Sequence, residues 1–130
     1  MKTHIPALLE KSDEFLVDAF TLLNNNGFSS SVSRSYYAMF HAAQAMLLSQ
    51  GIIAHTHKGV ILNFSNAFLK TQIFDIELGK AFVKIQDKRE KSDYEVGFKA
   101  TKEQASQTYQ VAVEFIDKVK IYLGKLSFIN

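Results

Sequence analysis

Apolar residues recur along the chain at intervals of three and four, and no segment sustains the alternation expected of a strand. Pro6 suits the first turn of a helix, and Leu9, Leu16, Ala19 and Leu23 continue that helix until "NNNG", Asn24 to Gly27, stops it. The serines at 29–31 are expected to cap a second helix that runs to about Gln50 and ends at Gly51. Thr56 is placed to cap a third helix carrying Val60, Ile61, Phe64 and Phe68. A fourth is expected over roughly Phe74 to Lys88, interrupted by Gly79, a residue of low helix propensity. The polar stretch "REKSDYEVGF" reads as a loop, after which Thr101 and Gln104 match a capping box. That box opens a long last helix through Ala105, Tyr109, Ala112, Ile116, Val119 and Leu123. The final "GKLSFIN" is expected to fray unless Phe128 and Ile129 tuck onto a neighbour or a dimer partner. The expected fold is all-α, an up-and-down bundle of about five helices in a single domain over residues 1–130.

The second helix is unusual in carrying "SRSYYAMFHAAQAM", with an arginine and a histidine inside an apolar run. Arg34 and His41 are seven residues apart, about 10.5 Å of rise and about 20° of net rotation, so they share a stripe. Tyr37 lies between them, while Tyr36, Met39, Phe40, Ala43, Met46 and Leu47 make the opposite side apolar. The pattern predicts a helix packed nearly all round, with a polar seam on one face.

Composition narrows the chemistry. The chain has 130 residues, 47% of them hydrophobic, with eleven Phe, which is enough for a substantial core. Cysteine is absent, which removes disulfides, thiolate metal sites and cysteine nucleophiles. The opening "MKTHIPALLEKSDEFL" resembles neither a signal peptide nor a membrane span, so a soluble cytoplasmic protein is expected. A formal net charge of +2 does not by itself indicate a nucleic-acid binder, because phosphate contacts depend on local basicity. Only two of the fifteen basic residues are arginines, Arg34 and Arg89, and each stands in an apolar helical pattern where an unpaired charge is costly.

Three candidate sites emerge. In the Arg34, Tyr37, His41 seam, a guanidinium suited to a phosphodiester is aligned with an imidazole able to act as acid or base. The competing structural reading pairs Arg34 with Asp93 or Glu90 and lets His41 donate to a backbone carbonyl. In "HTHKGV", Thr56, His57 and Lys58 stand at a helix N-terminus that favours anions, although an ordinary cap explains the same residues. The His-x-His pair lacks nearby acidic or thiol residues to complete a metal set, so no metal and no cofactor is expected. In "REKSDY", Arg89 is followed by Asp93 and Tyr94; the structural alternative is an arginine meeting helix C-terminal carbonyls and an aspartate capping the next segment. No phosphate-binding glycine loop, serine-histidine-aspartate order or paired-glutamate metal motif is present.

"SRSYYAMFHAAQAMLLSQGI", "THKGVILNF" and "REKSDY", in that order, resemble the HEPN family (higher eukaryotes and prokaryotes nucleotide-binding) in its short stand-alone prokaryotic branch, over approximately residues 5 to 123. The resemblance implies a helical bundle, commonly a homodimer, often paired with a minimal nucleotidyltransferase as toxin and antitoxin. It also implies a link to metal-independent ribonucleases that use an Arg, four to six residues, His motif at the dimer cleft. Arg34 and His41 fit that spacing but lie in the second helix, earlier than the family's usual motif. The later segment offers Arg89 with Asp93 and Tyr94 where a histidine is wanted. A binding protein that joins a nucleotidyltransferase and takes nucleotide or RNA through Arg34, His41 and Arg89 is therefore the first expectation. An active ribonuclease and a purely structural dimerisation module are the alternatives.

Overall fold

The computed structural model describes residues 4–129, which form five α-helices and contain no strand. Helix α1 spans Ile5–Asn24 with Pro6 in its first turn, and α2 spans Phe28–Ser49. Helix α3, His57–Phe64, runs directly into a wider π turn at Ser65–Leu69. Helix α4 covers Ile76–Tyr94 and α5 covers Lys102–Lys125. They form the expected up-and-down bundle, with α2 at its centre in contact with α1, α3, α4 and α5.

The burial of α2 follows from its residues. Tyr36, Ala38, Met39, Ala42, Ala43, Ala45, Met46 and Leu47 are all fully buried, and Phe40 and Leu48 nearly so. Small residues let α1 approach closely, and two buried hydroxyls join the pair: Ser12 donates to the Ala38 carbonyl at 2.6 Å and Ser31 to the Ala19 carbonyl at 2.7 Å. The serine run therefore does not cap α2. Gly27 is the residue before the helix, and Ser29 and Ser31 lie within its first turn; the Ser29 hydroxyl accepts from the Ala100 amide, 2.9 Å away, and so holds the segment before α5. At the other end Gly51 adopts φ +75°, with Ile52 N–H bonding the Leu47 carbonyl and Gly51 N–H the Leu48 carbonyl, a glycine-terminated helix end as expected.

On the far side of α2 the aromatic residues collect. Phe64, Phe74, Phe82 and Phe115 have ring centroids 5.0–5.8 Å apart, and Tyr36 stacks on Phe82 at 5.8 Å. Burying each such ring is worth roughly 1.5–3 kcal/mol, which makes this cluster the main stabilising mass of the bundle. Gly79 serves packing: a Cβ there would collide with the side chain of Leu69, so the glycine lets the π turn lie against α4.

Two boundaries differ from expectation. Helix α4 starts after Asp75, whose carboxylate accepts from Leu78 N–H at 2.9 Å, and it continues through "REKSDY" to Tyr94. That segment is polar because most of it faces solvent as the outer side of a helix. Between Gly124 and Ile129 the chain stays packed: α5 reaches Lys125, Phe128 N–H bonds the Leu123 carbonyl, and Phe128 and Ile129 pack on the chain's own core, while Asn130 lies outside the described residues. The Thr101–Gln104 capping box is present with both of its hydrogen bonds.

Candidate functional site

The extension of α4 brings "REKSDY" beside α2, and Arg89 enters the interior. It is 3% exposed. One guanidinium nitrogen donates to Asp93 Oδ2 at 3.0 Å and the other to Gln86 Oε1 at 3.3 Å, while buried Nε has no hydrogen-bond partner. Three tyrosines surround the group, with its central carbon 5.3 Å from the Tyr36 ring, 5.7 Å from Tyr37 and 6.0 Å from Tyr94. Burial acts against its charge, but the bond to Asp93 and the nearby tyrosines outweigh that cost and push its pKa further up. Arg89 thus neither contacts helix-end carbonyls nor leaves Asp93 to act as a cap.

Tyr36 is fully buried, and its hydroxyl lies 2.9 Å from His57 Nδ1. Burial pushes this phenol far above its usual range, Arg89 offsetting only part of the effect, so Tyr36 stays neutral. His57 rests against Phe40, with ring centroids 4.9 Å apart, and its pKa is lowered by burial and then by Arg89. His57 also lines, with Lys58, a groove between α3 and α4. Thr56 caps the helix by accepting from Gly59 N–H, and exposed Lys58 lines this groove, whose opposite wall carries Asp87 and Glu90. Those carboxylates make that groove a poor place for an anion. Exposed His55 lies in a different groove with His4 and Lys11, so the two histidines of the His-x-His pair diverge. Among the described residues no group of three His, Asp or Glu is placed to hold a metal ion.

The seam on α2 does converge. Arg34, Tyr37 and His41 line one cleft of about 530 Å³ with Lys11 and Phe15 of α1, the hydroxyl residues Ser29, Ser30 and Ser33, and Asp93 of α4. Arg34 is exposed rather than buried, and it pairs with neither Asp93 nor Glu90; it lies over the Phe15 ring at 5.5 Å. Phe15 also meets Tyr37 at 5.7 Å and His41 at 5.4 Å, so this ring stands between the ends of the seam. The positive charge of Lys11 and Arg34 dominates the cleft, because the carboxylate of Asp93 is taken up by Arg89.

His41 bonds a side chain instead of a backbone carbonyl, with Nδ1 2.8 Å from Gln44 Oε1. Its pKa is lowered, first by burial, with Gln44 opposing and Lys11 and His57 adding to the shift. The ring is therefore held neutral, with a lone pair free to accept a proton, although burial and Lys11 make it a weaker base than a free imidazole. Reading the sequence therefore finds Arg34, Tyr37 and His41 of the cleft but not Ser29, Ser30 and Ser33 of the same helix, and on α1 it misses Lys11 and Phe15. Their i, i+4 spacing on α1 was the available signal, but it is common to any amphipathic helix. Tyr94 lies outside the cleft and is 77% exposed.

Comparison with known proteins bears on both fold and family. The family model described as "HEPN domain" matches residues 5–122. Two proteins of Methanocaldococcus jannaschii are similar along nearly the whole chain. "Putative toxin MJ0142" is 32% identical over 122 residues, 94% of this chain and 83% of that one, and "Putative toxin MJ0605" is 33% identical over 126 residues, 97% and 93% respectively. The crystal structure of TT1696 from Thermus thermophilus superposes with a TM-score of 0.77 over 91% of this chain and 97% of that one. At 17% identity that likeness speaks for the fold alone. Among the described residues no helix is long and apolar enough to cross a membrane.

Proposed function

The chain belongs to the HEPN domain family, and on that premise we propose that it is a toxin-like protein that takes single-stranded RNA into the cleft between α1, α2 and α4. The observation that carries this reading is the convergence of Lys11, Arg34, Tyr37 and His41 on one cleft in which the carboxylate of Asp93 is already paired. Arg34 and Lys11 meet a phosphodiester, the three serines add hydroxyl donors, and the rings of Phe15 and Tyr37 offer faces on which an unpaired base stacks. Arg89 takes no direct part, since it is buried; it holds Asp93 and Tyr37 in place from behind.

A second reading, cleavage, is favoured by the neutral His41. Its imidazole would take the proton of a ribose 2′-hydroxyl, whose oxygen attacks the adjacent phosphorus while the 5′-oxygen leaves and is protonated by solvent. Arg34 would counter the charge gathering on the phosphoryl oxygens. One experiment tests both readings: RNA binding and cleavage in EDTA by wild type, Arg34→Ala and His41→Ala, each checked for folding. Arg34→Ala is expected to weaken binding and its salt dependence, and His41→Ala to reduce cleavage by about 10²–10⁴-fold. Well-folded wild type that neither binds nor cuts RNA would overturn the proposal.

The proposal extends to partners, a second copy of the chain and a small nucleotidyltransferase. The supporting feature for the latter is Tyr94, whose exposure leaves its ring open to an enzyme that transfers a nucleotide to a phenol. Intact mass after co-expression reads that modification directly, and sedimentation reads the dimer.

A further inference from the structure

Gln44 stands one turn beyond His41 on α2 and makes two hydrogen bonds whose senses are fixed by chemistry. Its amide nitrogen donates to the Ala54 carbonyl at 2.9 Å, and a carbonyl can only accept. The amide nitrogen therefore faces Ala54 and the amide oxygen faces His41 Nδ1, 2.8 Å away. An amide oxygen also only accepts, so Nδ1 must carry the hydrogen. Turning the amide over would set two oxygens against each other at Ala54. Ala54 itself is held by the segment between Gly51, with its left-handed φ of +75°, and the Thr56 cap of α3. The orientation of the amide is thus set by backbone on a different part of the fold.

We infer that Gln44 is a positioning residue that locks His41 as the Nδ1–H tautomer and leaves the Nε2 lone pair for the ligand of the cleft. The assignment of a role in RNA chemistry rests on the function proposed above, whereas the tautomer itself does not. The ring has little freedom to escape this arrangement, because Phe15, Tyr37 and Phe40 pack around it with centroids 5.4–6.5 Å away. The charged and titratable groups around His41 are Lys11 from α1, Arg34 and Tyr37 from its own helix, His57 from α3, and Asp93 across the cleft on α4. None of these is hydrogen-bonded to Nδ1, whose partner is the Gln44 amide oxygen.

Long-range ¹H–¹⁵N correlation of the imidazole nitrogens tests this in the whole protein. Above the histidine titration, wild-type His41 is expected to show a protonated Nδ1 and an unprotonated Nε2. Gln44→Leu removes the acceptor and should shift the population toward Nε2–H; Gln44→Glu gives up the bond to the Ala54 carbonyl, at a cost in stability, but keeps an acceptor, should retain Nδ1–H and should raise the His41 titration. An Nε2–H tautomer in wild type, or a tautomer unchanged in Gln44→Leu, would overturn the inference. If Gln44→Leu fails to fold, the wild-type spectrum alone still decides, because an Nε2–H tautomer there overturns the inference. Where RNA is cleaved, Gln44→Leu should slow cleavage by at least about tenfold, since the reacting lone pair is then on the wrong side, and Gln44→Glu should rescue much of it. An Nδ1–H tautomer in a protein inactive toward RNA would refute the proposed function while leaving the positioning role intact.

Discussion

Replacing either partner of the Arg89–Asp93 pair should have very unequal effects. Asp93 is one residue from the last residue of α4, where a carboxylate is disfavoured by the helix dipole and alanine is the better helix former. Taken as a surface residue, Asp93→Ala would gain a few tenths of a kcal/mol. In the structure it strands a guanidinium that is 3% exposed and whose Nε already lacks a partner. Losing a hydrogen bond to a charged group costs about 1.5–3 kcal/mol, and breaking a fully buried pair about 3–5 kcal/mol. The Asp93 side chain is 30% exposed, so water screens the pair and the lower part of that span applies, about 2 kcal/mol. Arg89→Met loses contact with the tyrosine faces, worth about 0.5–2 kcal/mol, but it also removes the unpaired Nε and leaves a carboxylate that water can reach. Its net cost should be about 1 kcal/mol or less. The double variant should match Arg89→Met within about 0.5 kcal/mol, because without the arginine Asp93 contributes nothing. Urea unfolding at fixed protein concentration reads all three, with 2 kcal/mol equivalent to a midpoint shift of about 1 M. Arg89→Met proving costlier than Asp93→Ala, or costs that simply add, would refute the reasoning.

Two other predictions concern stability. His41 and His57 both have lowered pKa values, so below the ordinary histidine value of about 6.5 the folded chain binds fewer protons than the unfolded chain. Their contribution is complete above that value and is lost as pH falls through it toward the lowered folded values. Urea midpoints measured from pH 8 to 5.5 should therefore decline on the acid side, and a rise on acidification would contradict the assignment. Ser127 occupies a left-handed conformation, φ +62°, immediately after the cap of α5, so Ser127→Gly should stabilise by about 0.5–1 kcal/mol; an unchanged melting temperature would count against it.

The helical period, the Thr101–Gln104 box and the Gly51 stop could be read from sequence because each is a local rule with a nearly unique solution. The serines at 29–31 misled because a hydroxyl suited to capping is equally able to bond the carbonyl of a neighbouring helix, as Ser31 does with Ala19. "REKSDY" is misleading because polar letters on the outer side of a helix look like those of a loop, and Arg89, which turns inward, is of a type seldom met in a core. What makes it tolerable is three tyrosines, two of them on α2, a relation that spacing along α4 cannot display. Arg34 departs in the other direction: its neighbours Ser35 and Tyr36 are buried, but its own position on α2 opens onto the cleft. His41 was singled out, and its control by Gln44 was not, because the decisive partner is the backbone of Ala54 in the connection after the helix.

The central position of α2 also sets an order of assembly. Its contacts with α1 close across only Asn25, Asn26 and Gly27, whereas its contacts with α5 await a helix that begins at Lys102. Closing the short connection costs little chain entropy, so the α1–α2 hairpin is the natural first unit and α5 the last to dock. Lys11, Phe15, Arg34 and His41 all belong to that first unit. A chain synthesised from its N-terminus therefore carries most of the cleft before Phe115 arrives to complete the ring cluster, and until then α3 and α4 cover the aromatic side of α2 only in part. The last quarter of the sequence, which supplies none of the side chains lining the cleft, thus governs how long the young chain is exposed to aggregation.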